Sequence, residues 1–507
     1  MTLLIKSVRI LAGNRKFPDP MDVFISGDKI SAIGNFPRKT ANQVLDGQGA
    51  YLAPGFIDID AETDHYLEIF NHPAQDDFLK QGITTVVGGH EGSSLAPLLY
   101  GTLESLEEWT NPNRGNVDWR TVREFLELLD KRKLGVHFGT FVGHSTIRRA
   151  LIGDHLRELT KNELAVFAKL LEEALQDGAF GLSANLKSVY SRKTPFAELK
   201  MLGKIVGKHN GFLSMALRKA AGIDPAIDEI LKLARETEAS TILNNFMPVE
   251  GQSKDYEQAL EKIEGAGEEL GFYFSVSPFE RSIRPLYRFL PDWAQTGSLD
   301  QMSKELHNDW LKPRILKDFV KIDPDSFFVA KAWNNPALIG ASLRELMDIY
   351  EIKKPEEAIY RLMQGTELRA LITYRNVDEK MMMRALSHSR SLVGSKGVSF
   401  GRSIVRERMA RFPDAAQAFP KFIALTTTSN IMPLETAVKK ITTLPAELFG
   451  LKDRGQIAEG KRADLVCFKA EGGLVDVMFT VVQGNIAVQN GEFQNVLAGK
   501  PIYHSGK

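Results

Sequence analysis

The chain has 507 residues, longer than an ordinary single domain, so one large domain and a smaller one are expected. Hydrophobic residues make up 43% and charged residues 25%, and the 64 basic residues balance the 64 acidic ones, which gives no electrostatic case for nucleic acid or an anionic membrane as the main partner. The one cysteine, Cys467, excludes an internal disulfide and fits a reducing, cytoplasmic compartment.

The opening residues, M-T-L-L-I-K-S-V-R-I, carry charges inside the apolar stretch and read as a strand, not a signal peptide. M-D-V-F-I-S-G-D-K-I-S-A-I-G reads as two strands about a Gly-Asp turn. In the centre, short apolar runs (I-T-T-V-V-G-G, L-G-V-H-F-G-T-F-V, A-F-G-L-S, F-L-S-M-A-L, S-T-I-L-N-N-F and G-F-Y-F-S-V-S) alternate with amphipathic helices such as E-L-A-V-F-A-K-L-L-E-E-A-L and A-I-D-E-I-L-K-L-A-R-E-T. Such alternation predicts a parallel sheet with helices outside: first a closed (β/α)8 TIM-like barrel, second a doubly wound open sheet. Residues from about 280 to 348 are polar, helical and less regular, and read as an insertion and a candidate lid. The far end returns to strands, A-D-L-V-C-F and V-D-V-M-F-T-V-V-Q-G-N-I-A-V-Q-N-G. A small composite β-sandwich built from both termini follows, with boundaries at 1–53, 54–444 for the barrel, and 445–507. No run of about 18 apolar residues predicts a membrane span.

Several segments in this order resemble the amidohydrolase superfamily, and within it the N-acyl-D-amino-acid deacylases, the D-aminoacylase branch. They are P-G-F-I-D at Pro54–Asp58, Q-G-I-T-T-V-V-G-G at Gln81–Gly89, S-L-A-P at Ser94–Pro97 and G-H-S-T-I-R at Gly143–Arg148. D-G-A-F-G-L-S at Asp177–Ser183, F-L-P-D-W-A-Q at Phe289–Gln295 and the long run Leu444–Phe468 complete them. The resemblance implies a (β/α)8 barrel with a composite β-sandwich, and one or two zinc ions at the barrel mouth that activate water for amide hydrolysis.

At the positions where the resemblance implies metal ligands and a catalytic aspartate, this sequence differs. The family's H-x-H after P-G-F-I-D-x is Asp60 and Glu62 here, and its N-C-G cysteine is Glu91. Its A-S-H-I-R histidine falls on Ala216 (Met215 if the register slips), its I-S-H-L-K histidine on Asn245, and the aspartate of G-S-D-G on Lys396. None of these six positions keeps the family residue. Three carboxylates at one mouth repel each other unless compensated. Either a hard cation such as magnesium, calcium or manganese sits among them, or Lys396 supplies an internal one, or the side chains reach solvent. The internal lysine is favoured because the chain supplies it.

His90, His144, Lys187 and Arg218 are further candidate pocket residues. Arg218 survives from the family's S-H-I-R segment, where it would meet a substrate carboxylate. His90 adjoins Glu91 but should point elsewhere. His144 matches a family histidine that is not a ligand, and Lys187 reads as a rim lysine. His65 and His72 fall on the loop and helix after the first barrel strand, and Gly88-Gly89 lacks the rest of any nucleotide fingerprint. The expected function is a metal-free, catalytically inactive relative acting in assembly, as a homo-oligomer or with an active relative, or in binding a small carboxylate. The alternatives are a C–N hydrolase with an altered site and an adaptor that works through its outer surface.

Overall fold

Five strands open the chain: β1 (Thr2–Ile10), β2 (Met21–Ser26), β3 (Lys29–Gly34), β4 (Gln43–Asp46) and β5 (Tyr51–Pro54). In this computed structural model, residues 1–11, 20–111, 117–219, 222–319, 321–332, 334–400 and 414–504 are described. β1 pairs antiparallel with β2 and parallel with β4 and β5, and β2 turns back into β3. The Gly-Asp turn falls where the sequence put it, with Gly27 at φ +63°, a left-handed conformation that glycine adopts without a Cβ clash.

The centre is a series of parallel strands. β6 (Phe56–Asp58), β7 (Ile83–Gly88) and β8 (His137–Thr140) form a three-stranded sheet. β9 (Val142–Gly143), β10 (Gly181–Asn185), β11 (Phe212–Ala216), β12 (Ser240–Leu243) and β13 (Phe272–Val276) belong to a second. These strands are buried almost throughout, which explains their continuous apolar runs. Amphipathic helices cover them; Lys161–Gln176 and Ile223–Thr237 each bury one stripe, including Phe167 and Leu171 on the first and Ile227 and Ile230 on the second.

The chain then leaves the parallel sheet for an excursion. β14 (Arg281–Pro285), β15 (Phe327–Ala332) and β16 (Ala370–Arg375) make a separate antiparallel sheet in the order β14-β16-β15. Tyr287, Phe327, Leu343, Leu362 and Ile372 lie in its own core. The excursion therefore extends past the expected end at 348 and is built on strands as well as helices. Its middle strand, A-L-I-T-Y-R, lies outside the polar stretch, so composition alone hid it. β17 (Ser391–Val393) returns to pair with β13 and completes the six-stranded parallel sheet β17-β13-β12-β11-β10-β9.

The two parallel sheets are not one closed ladder, but they meet at two seams. Phe141 alone separates β8 from β9, and its amide donates to Gly88 O at 3.0 Å. At the other seam, Lys396 N–H donates to Asp60 O and Glu62 N–H to Gly397 O, both at 2.9 Å. The arrangement is mixed α/β and barrel-like. The last strands, β18 (Leu465–Glu471), β19 (Leu474–Val482), β20 (Asn485–Gln489) and β21 (Glu492–Phe493), join the first ones. One nine-stranded sheet runs β21-β20-β19-β18-β5-β1-β2-β3, with β4 on β1, so both ends of the chain share it. Among the described residues no helix is long and apolar enough to cross a membrane.

Candidate functional site

The second seam builds the site. Asp58, at the end of β6, accepts from the amides of Asp60 and Ser395 at 3.1 Å and from the Ser395 hydroxyl. These bonds tie the end of the first parallel strand to the loop after the last one. Gly394 is glycine for a steric reason: a Cβ there would lie 2.6 Å from the Asp60 Cβ. The close approach sets Lys396 facing the residues that follow β6.

The Lys396 ammonium sits among three carboxylates. Its Nζ is 3.1 Å from Asp60 Oδ1, 3.3 Å from Glu62 Oε1 and 2.9 Å from Glu91 Oε1. The lysine side chain is 13% exposed and Asp60 only 2%. An ammonium has three donors, and all three have an anionic oxygen in reach. Ser275 Oγ donates to Asp60 Oδ2 at 3.0 Å, Asn244 Nδ2 to Asp60 Oδ1 at 3.3 Å, and Asn185 Nδ2 to Glu91 Oε2. Glu91, Asn245 and Lys396 hold φ of +53°, +50° and +52°. Asparagine takes this left-handed backbone readily, but Glu and Lys rarely do, so the surrounding fold holds Glu91 and Lys396 there.

The electrostatics follow from burial and this convergence. Burial would strip the proton from Lys396, but Asp60, Glu91 and Glu62 reverse that and hold it well above the ordinary lysine value. Burial pushes Glu91 up, yet Lys396 and Arg288 outweigh it and bring it down to about 2. Glu62 is raised, because burial and the repulsion of Glu91 and Asp60 exceed the help from Lys396 and His65. Asp58, fully buried, is pushed up to about 6 by desolvation despite its Ser395 bonds. So Lys396 and Glu91 stay charged, and Glu62 takes a proton before Glu91 does.

The other candidates divide. His90 is buried beneath the cluster, not turned away from it: its Nδ1 accepts from Asn244 Nδ2 and lies 2.9 Å from Ser214 Oγ. Burial depresses its pKa, so it is neutral. His144 is a structural residue, 2.8 Å from Glu198, which also holds Arg148. Arg218 does not offer its guanidinium to a pocket. It is bidentate to Glu229 at 2.9 and 3.1 Å and donates to the carbonyls of Thr194 and Arg192. Ala216 ends β11, buried and apolar. Asn245 lines a cavity of about 40 Å³ above the cluster with Glu62, Met247, Phe279, Ile283 and Lys396. His65 donates to Ser93 O and stacks on Trp109, and His72 pairs with Asp76.

Lys187 is half-buried just past β10. Burial and neighbouring Arg284 lower its pKa to about 8. Sequence reasoning did not single out Asn185, Ser214, Asn244, Ser275, Arg284 or Arg288. All but Arg288, which lies in a short helical turn (Leu286–Phe289), are ordinary strand or strand-end residues, and only the fold brings them to the mouth. Asn244 had one usable signal: it neighbours the position matched to a family histidine.

Zinc is held at about 2.0–2.3 Å by thiolate, imidazole or carboxylate ligands. Here the matched positions present three carboxylates, a methyl, an amide and an ammonium, and the carboxylate oxygens surround that ammonium at 2.9–3.3 Å. His90 directs Nδ1 to Asn244 and Ser214, and among the described residues its buried Nε2 has no hydrogen-bond partner, so it offers at most one nitrogen ligand where zinc takes three or four. A dication beside Lys396 would meet like charge. The residues present do not fit a zinc site. Among the described residues, no three His, Cys, Asp or Glu side chains are grouped to hold a metal ion.

Residues 406–488 match the amidohydrolase family, and the fold resembles that of solved amidohydrolases. Within that class the chain resembles the N-acyl-D-amino-acid deacylases. It is 26% identical over 483 residues to D-aminoacylase of Alcaligenes xylosoxydans xylosoxydans, covering 92% of this chain and 87% of that one. It is 28% identical over 450 residues to N-acyl-D-aspartate deacylase of the same organism, covering 88% and 81%. A solved D-aminoacylase with a binuclear metal centre superimposes with TM-score 0.79 at 24% identity over 99% of both chains. N-acyl-D-glutamate deacylase of Bordetella bronchiseptica, complexed with zinc and a phosphonate inhibitor, superimposes with TM-score 0.80 at 22% identity, again over 99% of both.

Proposed function

We propose that this chain is a metal-free, catalytically inactive relative of the N-acyl-D-amino-acid deacylases that uses the barrel mouth to bind a small carboxylate. The observation that carries the proposal is the Lys396 ammonium seated among Asp60, Glu62 and Glu91. Water activation needs a metal-bound or base-held water. Here the carboxylates that would serve as base are engaged with an ammonium, and a lysine stands where the family carries its catalytic aspartate. The parallel strands are read as a (β/α)8 barrel spanning 54–444, and the nine-stranded sheet as a composite β-sandwich from 1–53 and 445–507.

A ligand carboxylate would not be received by Lys396, whose donors are committed. Lys187 and Arg284 are better placed: among the described residues neither has a carboxylate within ion-pair distance. A cytoplasmic location fits the single buried thiol, Cys467. Assembly as a homo-oligomer or with an active relative is part of the same proposal.

The second reading, a C–N hydrolase with an altered site, is favoured by the near full-length match to deacylases. A panel of N-acetyl-D-amino acids separates the two, assayed for hydrolysis and for thermal stabilisation of the protein. Stabilisation without turnover supports the binding reading. Turnover above background, with or without added zinc, replaces it with the hydrolase.

A further inference from the structure

The amino ends of the parallel strands are closed by the helix Thr443–Leu448 and the turn after it. Phe449 sets its ring 5.0 Å from that of Phe180, just before β10, and 4.9 Å from that of Phe212, the first residue of β11. Asn185, which holds Glu91, lies at the other end of β10, so this floor is remote from the mouth. The chain around Phe449 lines a cavity of about 290 Å³, against about 40 Å³ at the mouth. Its charged lining is mainly basic: Lys452, Arg454 and Lys461 face one carboxylate, Glu447, with Gln456 beside them. Among the described residues Lys452 has no ion-pair partner, and Lys461 spends only one of its three donors, on the Lys452 carbonyl. Arg454 is held rigidly, with its side chain 10% exposed. Its Nε donates to Asp453 Oδ1 at 3.1 Å, and its Nη1 lies 3.6 Å from Asp464 Oδ2. That leaves Nη2, which has no hydrogen-bond partner among the described residues, for the cavity that Arg454 lines. Asp453 is itself shared with Arg462 at 2.8 Å.

We propose that the floor cavity is a second ligand site, which takes a small phosphorylated molecule by its phosphate. A carboxylate offers one charge and two oxygens. A phosphate monoester offers nearly two charges and three strong acceptor oxygens, which suits two ammonium groups with unused donors and an open guanidinium nitrogen. The volume is close to the lower end of small-molecule pockets, about 300 Å³, so an organic part fits beside the phosphate. Glu447 repels an anion, so the phosphate belongs on the lysine side and hydroxyl groups of the organic part face Glu447 and Gln456. The proposal does not depend on whether the mouth is metal-free.

The experiment is a calorimetric titration of the full-length protein with glycerol 3-phosphate, inorganic phosphate and succinate. It is repeated on Lys452→Ala/Lys461→Ala, on Lys452→Gln/Lys461→Gln and on the mouth variant Lys187→Met. The expected result is one glycerol 3-phosphate per chain, bound more tightly than inorganic phosphate or succinate. Hydrogen bonds to charged groups are strong enough that either double variant should bind about tenfold more weakly or worse. Lys187→Met should bind like the parent. Lys452 is exposed and Lys461 half-exposed, so these variants should fold, and the glutamine pair keeps most of each stem if the alanine pair does not. No binding of glycerol 3-phosphate by the parent overturns the proposal, as does equal affinity in parent and double variants. Succinate or inorganic phosphate binding as tightly as glycerol 3-phosphate overturns the ligand class. A loss in Lys187→Met comparable to that in the double variants places the anion at the mouth and overturns the floor site.

Discussion

Lys396 Nζ donates to Glu91 Oε1 at 2.9 Å, although the two residues are 305 positions apart in the chain. One follows β7 and the other β17, so the bond spans the mouth from the second parallel strand to the last. Both ends are held in the left-handed backbone conformation. A surface lysine would swing free of such a geometry. Here the lysine is 13% exposed and its partner 10%, so the pair is a fixed part of the mouth.

Removing the ammonium should therefore destabilise the fold. Breaking a buried pair by deleting one partner costs about 3–5 kcal/mol, and Lys396→Met should lose that order of stability at neutral pH. The raised lysine pKa means the contribution is complete below the unfolded value of about 10.4 while the facing carboxylates stay charged, and it fades as pH rises above that value. The loss in Lys396→Met should shrink in mild acid, where the uncompensated carboxylates take up protons. Lys396→Asp, which adds a fourth negative group, should be worse. Melting series of both variants against pH are the check; Lys396→Asp melting like the parent at neutral pH would contradict the account.

Asp58 and Glu62 make the opposite contribution. Both carboxyls are raised, Asp58 to about 6, so the native state binds protons before the unfolded chain does. Stability from these two groups rises as pH falls from neutral through about 6, and the Glu91 contribution is lost only as pH falls from about 4 toward about 2. In Asp58→Asn the gain between pH 7 and pH 5 should be smaller than in the parent. Urea melts at the two pH values measure this, and parallel slopes would refute it.

Much of the mouth was legible because the differing residues sit in recognisable surroundings. P-G-F-I-D fixes the register of Asp60 and Glu62, and G-S-K-G fixes Lys396, so the charge pairing follows from two short motifs. The partners on β10, β12 and β13 were not legible. Asn185, Asn244 and Ser275 become site residues only through strand order, which local sequence does not state. Arg218 shows the reverse failure. Its motif points to a carboxylate ligand, but Glu229, eleven residues on, takes the guanidinium. The shared terminal sheet was visible from alternating apolar residues at both ends, whereas the antiparallel sheet of the excursion was hidden because its edge strand R-S-I-R-P looks like a polar loop.

Gly394 has no room for a side chain. A methyl there would press on the Asp60 Cβ at 2.6 Å, which belongs to a buried residue that cannot swing aside. Overpacking of this kind costs about 1–3 kcal/mol, and Gly394→Ala should lose that much in a urea melt. An unchanged midpoint would mean that β6 and the loop after β17 are less closely packed than described.

Lys187 should make anion binding pH-dependent. Its pKa is lowered to about 8, so it is charged below that value and neutral above it. Affinity for an N-acetyl-D-amino acid that stabilises the protein should fall between pH 7 and pH 9, and Lys187→Met should bind weakly at both. Calorimetric titrations at the two pH values check this; equal affinity for parent and variant would remove Lys187 from the site.

The central claim is that an ammonium has replaced the metal. It is tested most directly by zinc content and turnover of the unaltered protein, expressed in zinc-supplemented medium and desalted without chelator. The account predicts far less than one zinc per chain and no hydrolysis of N-acetyl-D-amino acids above background. One zinc or more per chain, with hydrolysis that a chelator abolishes, would contradict it.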